Sequence, residues 1–572
     1  MAELTLKERL RKAARTVDEP GKRSTLVGVL AGPLRRWVEP STPVDHLLIV
    51  PPDLRTADPS FWNEMEYGQF GLAGNIAFLR GNSPFVIEPP SAAWARELHG
   101  FGWLRNLDAA GSDAARETGR RLALEWSVRF GADRGLASEP AVAARRLISW
   151  LSHANLLLED ADKESYGAIT HSLGRQLAHL TASWRDAPAG YPRLLSLMAL
   201  AFAALSLAGH DRQIKDIETD LASELAWQVL DDGGHVTRNP ALLVELLLDL
   251  LPLSQCFTAR DRTFPKQLGE ALEHMLPMLR YLRLGDGMVA RFNGVGGASA
   301  AGLATVIAYD DGSLPSLAEA RASNYARLER GSAVVIADVG GPPALALSAA
   351  AQAGCLSFEM SAGRQLLFVN GGVPTAASGD WLAVARATAS HNTLTMAEKS
   401  SSRLIAHRKL EALLGAPPIR YPDRVDWQTH DVDGAGVVEA SHDGYHRRYE
   451  LIHSRRLQLA ADGLRLDGRD RIDGLSTKIR LRTDLPFAIH FHLLPGASCA
   501  LGAAPHEAII SLADGQRWLF SAQGAAVSIE ESAYFAESAG PRAALQIVLR
   551  GVTYGETEVN WFAALMAEEE TI

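Results

Sequence analysis

The stretch from Val369 to Met396 reads VNGGVPTAASGDWLAVARATASHNTLTM, a glycine-rich turn and Trp381 ahead of a strand pattern that opens with His391-Asn392-Thr393. An imidazole at the start of a strand, beside a glycine turn, puts a ligating or proton-transferring group at a sheet edge, where sites are commonly built. A second cluster lies in SHDGYHRRYELIHSRR at 441–456, which carries His442, Tyr445, His446 and His453. If a strand starts near Tyr449, then Leu451, His453 and Arg455 share one face, and His453 points towards the same space as His391. Tyr445 is the best acid or base candidate there. A third cluster, DGGHVTRNP at 232–240, supplies His235, Arg238 and Asn239, which can bind a carboxylate or an anionic sugar. Each cluster also has a purely structural explanation. His235 and Asn239 would close one helix and cap the next, His442 would satisfy a turn, and Tyr445 would pack at a hairpin.

Two kinds of element must position these residues. From about Pro90 to Arg283 amphipathic segments of roughly five turns alternate with short polar or Gly/Pro breaks. They cover 113–130, 140–158, 164–184, 191–208, 214–230, 240–253 and 264–282. Leu147, Ile148, Leu151, Ala154, Asn155 and Leu158 form the stripe that buries one face. No fixed-period repeat is visible, so a closed ring of helical hairpins is favoured over a consensus solenoid. After Leu328 the helical period disappears and short alternating runs follow, separated by turns such as Ala-Asp-Gly at 461–463 and 513–515. The predicted organisation is an extension over 1–89, an incomplete (α/α) toroid over 90–320 and an antiparallel β-sandwich over 321–572. Predicted strands include 355–360, 457–466, 477–482 and 487–494, and two short β-like runs are expected within 70–87.

At 572 residues the chain exceeds one ordinary core. Its net charge of −10 gives a nucleic-acid role no support, so a polyanion would need a local basic cleft. Cys256, Cys355 and Cys499 are widely spaced and suggest neither disulfides nor a thiolate zinc site. No signal peptide is visible in MAELTLKERLRKAARTVDEPGKR, and runs such as 242–253 are too short or interrupted to span a bilayer.

Several short stretches, in order, resemble the heparinase II/III-like family of polysaccharide lyases: LHGFGWL at 98–104, DGGHVTRNP at 232–240, the segment 370–395, SHDGYHRRYELIHSRR at 441–456 and FHLLPG at 491–496. The resemblance implies β-elimination on a uronate-containing acidic glycan, such as a glycosaminoglycan or alginate-like polymer, in the cleft between toroid and sandwich. That chemistry needs a group to offset the substrate carboxylate, a base for the C5 proton and an acid for the leaving O4. Carried over, it assigns proton transfer to Tyr445, carboxylate binding to His235 and Arg238, and substrate contact to Asn239, Trp381 and His442. It makes His391 and His453 ligands of one structural divalent ion, zinc or similar, with no organic cofactor. The implied partner is an acidic polysaccharide or oligosaccharide, and the implied location is the periplasm or cell envelope. The missing export signal keeps the cytoplasm as the alternative.

Departures from the family pattern stand beside the matches. Ala389 occupies the position of a second histidine, Leu242 and its neighbours replace a tyrosine, GYPRLLSLMALA at 190–201 lacks an Asn-His pair, and His407 stands where a carboxylate is usual. These substitutions support an alternative, a lyase-fold protein with lost or altered chemistry that binds a glycan at the envelope or acts as a glycosidase. His490 and His492 in AIHFHLL form an H-x-H pair, which the resemblance places in the sandwich core. Arg447, Arg448, Arg455, Arg456, Arg469, Arg471, Arg480 and Arg482 concentrate positive charge in the sandwich. GVGGAS at 294–299 lacks the context of a dinucleotide loop, no G-x-S-x-G elbow occurs, and Glu117 and Glu125 fit charged helix faces as well as a glycosidase pair.

Overall fold

The computed structural model describes residues 44, 46–132, 135–210, 212–297, 300–374, 379–405, 418–474, 484–537 and 540–567. Helices come first: Ser60–Glu66, Ala92–Gly100, Leu104–Ala110, Asp113–Phe130, Pro140–Ser152, Ala154–Leu158, Lys163–Ser183, Tyr191–Ser206, Ile214–Gln228, Pro240–Ala259, Lys266–Tyr281 and Ala300–Ala308. Side-chain caps set several of their starts. Ser91 accepts from the Trp94 amide, Asp162 from Glu164 and Ser165, and Asn239 from Ala241, each satisfying donors that a helix leaves open. The segment 140–158, predicted as one helix, breaks at His153, whose ring is held by Asp108 and Asp53 at 2.9 and 3.3 Å. Pro240–Ala259 is, among the described residues, the one helix long and apolar enough to cross a bilayer. It is a core helix here, with Leu246, Leu247, Leu250, Leu253 and Phe257 fully enclosed.

A hairpin of β1 (Gln69–Leu72) and β2 (Asn75–Phe78) precedes the ring, while the predicted run around 84–87 forms turns. Beyond Ala308 the chain is mainly β, with helices at Gly379–Arg386, which carries Trp381, and His446–Tyr449. A four-stranded sheet runs β3 (Tyr325–Arg330), β4 (Ala333–Asp338), β5 (Phe358–Ala362) and β6 (Gln365–Phe368). β7 is Leu394–Met396, and the small pair β8 (Arg403–Leu404) and β9 (Pro418–Arg420) follows. The large sheet uses β10 (Val425–Val432), β11 (Ala435–His442), β12 (Leu451–Leu459), β13 (Arg465–Gly474), β15 (Ser498–Leu501), β16 (Glu507–Ser511), β17 (Arg517–Gln523) and β20 (Thr557–Leu565). Its order is β10-β11-β12-β13-β20-β17-β16-β15. A second four-stranded sheet has the order β18-β19-β14-β7, with β14 at Leu485–His492, β18 at Ala526–Tyr534 and β19 at Arg542–Thr553.

The run predicted as one strand at 457–466 is instead the hairpin between β12 and β13, turning at the Ala-Asp-Gly signal. The run at 355–360 gives strand only from Phe358, and 477–482 lies outside the described residues. β10 was not foreseen, because at the sheet's edge it is largely exposed and carries little apolar alternation. β12 alternates strictly between buried and half-buried positions, as Leu451, His453 and Arg455 on one face require.

The helical and β parts meet through buried polar bonds. Arg238, with a left-handed φ of 56°, sends Nε to the Ser323 carbonyl, Nη1 to Gly341 and Nη2 to Asn324, and pairs with Asp338 at the end of β4. Tyr325 donates its hydroxyl to the Arg238 carbonyl, and Asn293 binds both Tyr325 and Asp338. Gly340 lets this approach happen, since a Cβ there would lie 2.6 Å from the guanidinium carbon. A second joint has Arg291 on Glu359 of β5 and on the Tyr534 hydroxyl, while Glu359 also accepts the Asn370 amide.

Arg238→Ala strands the Asp338 carboxylate in the interior, and loss of one partner of a buried pair costs on the order of 3 kcal/mol or more. Scanning calorimetry should show a clear fall in melting temperature, whereas an unchanged transition would mean that the joint carries no stability.

Candidate functional site

The HNT segment is a hub of the sandwich core. The Asn392 amide donates to the Asn370 side-chain oxygen, and the Asn392 side chain donates Nδ2 to the Phe358 carbonyl and accepts the His492 amide at 2.6 Å. Its own carbonyl accepts from Arg455 Nη1 at 2.5 Å. His391 is 1 % exposed; its Nδ1 bonds the Ala387 carbonyl at 2.8 Å, and its Nε2 has no partner. Close packing against Gly354, where a Cβ would fall 2.8 Å from the ring, leaves no room beside it.

His453 lies on β12 opposite His442 of β11, as the register requires. The Gly444 amide donates to His442 Nδ1 at 3.0 Å, so the His442 proton sits on Nε2, facing His453 Nδ1 at 3.4 Å. His453 Nε2 then donates to Asp470 of β13 at 2.7 Å. Asp470 also accepts from Arg455 and from the Trp561 indole, and these bonds offset its burial and hold its carboxyl well below the usual range. The chain Gly444–His442–His453–Asp470–Arg455 therefore ends on the Asn392 backbone, within the protein at every step.

Tyr445 follows the same logic. It is buried, it donates to the Leu394 carbonyl at 2.6 Å, and burial pushes its hydroxyl pKa up, the wrong direction for a base. In the helical part, His235 bonds Thr237 through Nδ1 at 2.7 Å and Gln228 through Nε2 at 3.0 Å, and burial lowers it to about 3. Arg238 is spent on the joint, and Asn239 caps its helix. Trp381 is the exposed member of the predicted set, at 45 %, with its ring 5.7 Å from Phe535. The structure thus brings His442, His453 and Tyr445 into one neighbourhood, places His391 in a separate packing environment, and holds His235 and Arg238 across the joint.

The donor set does not fit a shared metal. His391 keeps Nε2 free, but His453 spends both ring nitrogens on His442 and Asp470, and the described residues contain no group of three His, Cys, Asp or Glu able to hold an ion. His407 lies outside the described residues. His490 and His492 are core imidazoles bonded to Gln546 and Thr395 and to Ser532 and the Ala389 carbonyl. The arginine concentration splits as well. Arg455 is internal, Arg447 pairs with Asp423, Arg456 with Glu439, and Arg471 with Asp473 and Glu556. Arg480 and Arg482 lie outside the described residues. Sequence reasoning missed Asp470, whose signal was its place on the strand that pairs with β12, and Asp338, which ends a strand otherwise made of apolar residues.

Comparisons with known proteins bear on family and fold. Residues 312–562 fit the family model described as Heparinase II/III-like, C-terminal. FtsZ-localized protein C from Caulobacter vibrioides is 31 % identical over 520 residues, covering 89 % of each chain. Among solved structures, Heparinase III superposes with a TM-score of 0.71 at 12 % identity, over 94 % of this chain and 89 % of that one. A heparan sulfate lyase mutant from Pedobacter heparinus gives 0.61 at 14 % identity, over 100 % and 92 %. At these identities the two structures share the toroid-plus-sandwich fold.

Burial depresses six histidines: His235 and His492 to about 3, His391 to about 4, and His442, His453 and His490 below the ordinary value. The unfolded chain takes up these protons near pH 6.5 and the native chain does not. Their contribution is therefore complete above that pH and is lost as the pH falls towards the folded values, at up to about 1.4 kcal/mol per pH unit for each group. His153 opposes them, since Asp108 and Asp53 raise it against its burial. Denaturant melts at pH 7.5 and 5.0 should show the protein markedly weaker at 5.0; equal midpoints would contradict the neutral-core assignment. Tyr445→Phe should cost about 1 kcal/mol, the net worth of one hydrogen bond.

Proposed function

This chain belongs to the heparinase II/III-like family, and from that premise we propose that it is a lyase-fold protein that has given up β-elimination and works by binding an acidic glycan, localised with FtsZ. The observation that carries this is the enclosure of the residues expected to transfer a proton or pair with a uronate carboxylate, while Asn239 is half-buried as a helix cap and only Trp381 stands exposed. Tyr445, His235, His442, His391 and Arg238 are all buried; all but His391 spend their polar atoms on the protein itself, and the free Nε2 of His391 is enclosed. A general base must reach the proton that it abstracts, and a depressed imidazole beside no open space cannot. The sequence departures support the same conclusion, with Ala389 and Leu242 in place of the proton-transferring side chains of the resembling enzymes. The placement beside FtsZ draws on the name of the Caulobacter relative, which extends over 89 % of both chains.

Polysaccharide elimination is the competing function, and family membership is what favours it. The two separate cleanly in one assay. Folded protein incubated with heparan, chondroitin, alginate and bacterial acidic polysaccharides should yield no absorbance from unsaturated uronate. A fluorescent fusion of the same chain should coincide with FtsZ in cells. Product formation that disappears in Tyr445→Phe would restore the lyase, and a fusion spread without regard to FtsZ would remove the localisation.

A further inference from the structure

The helical part holds a cavity of about 730 Å³ walled by the β1–β2 hairpin, the helix Ala92–Gly100, the turn before Leu104 and the start of the helix Pro140–Ser152. Its volume is that of a small-ligand pocket. None of its lining belongs to the sandwich, and none belongs to the sites discussed above. Part of its floor is the LHGFGWL segment: Gly100, Gly102 and Trp103 line it, and the two glycines leave open space where side chains would otherwise stand.

Four arginines face this space: Arg55, Arg96, Arg105 and Arg145. Arg55 and Arg145 converge on one enclosed carboxylate, Asp249, with Nη1 contacts of 2.7 and 2.8 Å to the same oxygen. Arg55 also reaches the half-exposed Glu245, and Arg145 the Tyr191 hydroxyl. Arg105 has less. Its Nε donates to Asp53 at 2.8 Å, on the oxygen that His153 also approaches at 3.3 Å. Neither of its Nη atoms has a hydrogen-bond partner among the described residues, although its side chain is only 19 % exposed. Burial and the neighbouring charges of Arg55 and Arg145 pull its pKa down despite Asp53, which is the sign of a guanidinium short of negative charge. A planar fork with both ends free matches an oxyanion held by two parallel bonds.

The rest of the wall suits hydroxyl groups. Glu97 accepts the Ala73 amide at 2.8 Å and so fixes the tip of the hairpin, where Ala73 and Gly74 have φ values of 48° and 69°. Its other oxygen, Oε1, has no hydrogen-bond partner among the described residues. Asn106 uses Oδ1 on the Asp58 amide, which leaves its Nδ2 as a donor. We propose that this cavity is an oxyanion-sugar site, in which the Arg105 Nη pair receives the carboxylate or phosphate of an acidic sugar while Glu97 and Asn106 meet its hydroxyls. The assignment deepens the proposed function and rests on it, because it supplies a place for an acidic glycan to bind without being cleaved.

The test is titration calorimetry of the full chain with D-glucuronate, glucose 1-phosphate and neutral glucose, on wild type, Arg105→Gln and Gly102→Ala. The glycine variant removes no hydrogen bond. Its new Cβ lies 3.6 Å from both Arg105 Nη atoms and occupies the approach to the fork, and Gly102 does not sit in the left-handed region. Binding of one or both anions, with glucose inert and affinity at least tenfold weaker in both variants, supports the site, and the anion that binds identifies the source. No binding by folded wild type, or affinities unchanged in the two variants, overturns it. Absorbance of unsaturated uronate, followed in parallel with the polymer panel, reports separately on the proposed function. Elimination that persists in both variants would sink the non-lyase assignment while the titration still decides the cavity.

Discussion

One buried ion pair ties this molecule together. Arg238 leaves the helical part in a left-handed backbone conformation, threads its guanidinium past Gly340 and ends on Asp338 and three backbone carbonyls of the β part. A charge taken out of water is tolerable only when it is paired and its remaining hydrogen-bonding capacity is used. That requirement fixes what surrounds it: Asn293 and Tyr325 complete the shell, and the two domains cannot shift without breaking it. A residue so committed is unavailable to a substrate, and the same holds for His235 and Asn239, a few positions before and after it.

The sandwich shows the same economy. Its polar core contains a connected set: Asp470 joins His453, Arg455 and Trp561, and Arg455 passes the link to Asn392. Asn392 then spans Asn370, Phe358 and His492. A connected network of this kind specifies one arrangement of strands, because a slip in register would strand several donors at once. The HNT and HDGY segments that carry the family resemblance make structural connections here, through Asn392, His442 and Tyr445.

Family and fold are thus secure while chemistry is a separate matter, since function resides in sites carried by a fold. The polar groups with unused bonding capacity beside open space are not those of the expected site, where His391 Nε2 and Asn370 Nδ2 lack partners but are enclosed. They lie in the arginine-lined cavity of the helical part, where Arg105 keeps its fork open. Surplus donors in a concave, partly enclosed place are a better pointer to a ligand than conserved-looking histidines that are already satisfied.

The sequence by itself determined the order of architecture, helices and then strands, because periods of 3.6 and 2 are written locally in where apolar residues fall. It determined the strand phase that puts Leu451, His453 and Arg455 on one face, and the capping role of Asn239, both set by neighbours a few residues away. It showed a change of texture near 320, between the last helix of the ring and Tyr325. Tertiary structure alone decided which polar groups meet. Asp470 is 17 residues from His453, Asp338 is 100 from Arg238 and Asp249 is 194 from Arg55, and no local pattern encodes such pairings. Whether a histidine is a ligand, a base or a neutral strut depends on what the rest of the chain packs around it, because burial and partners set its charge and its reach.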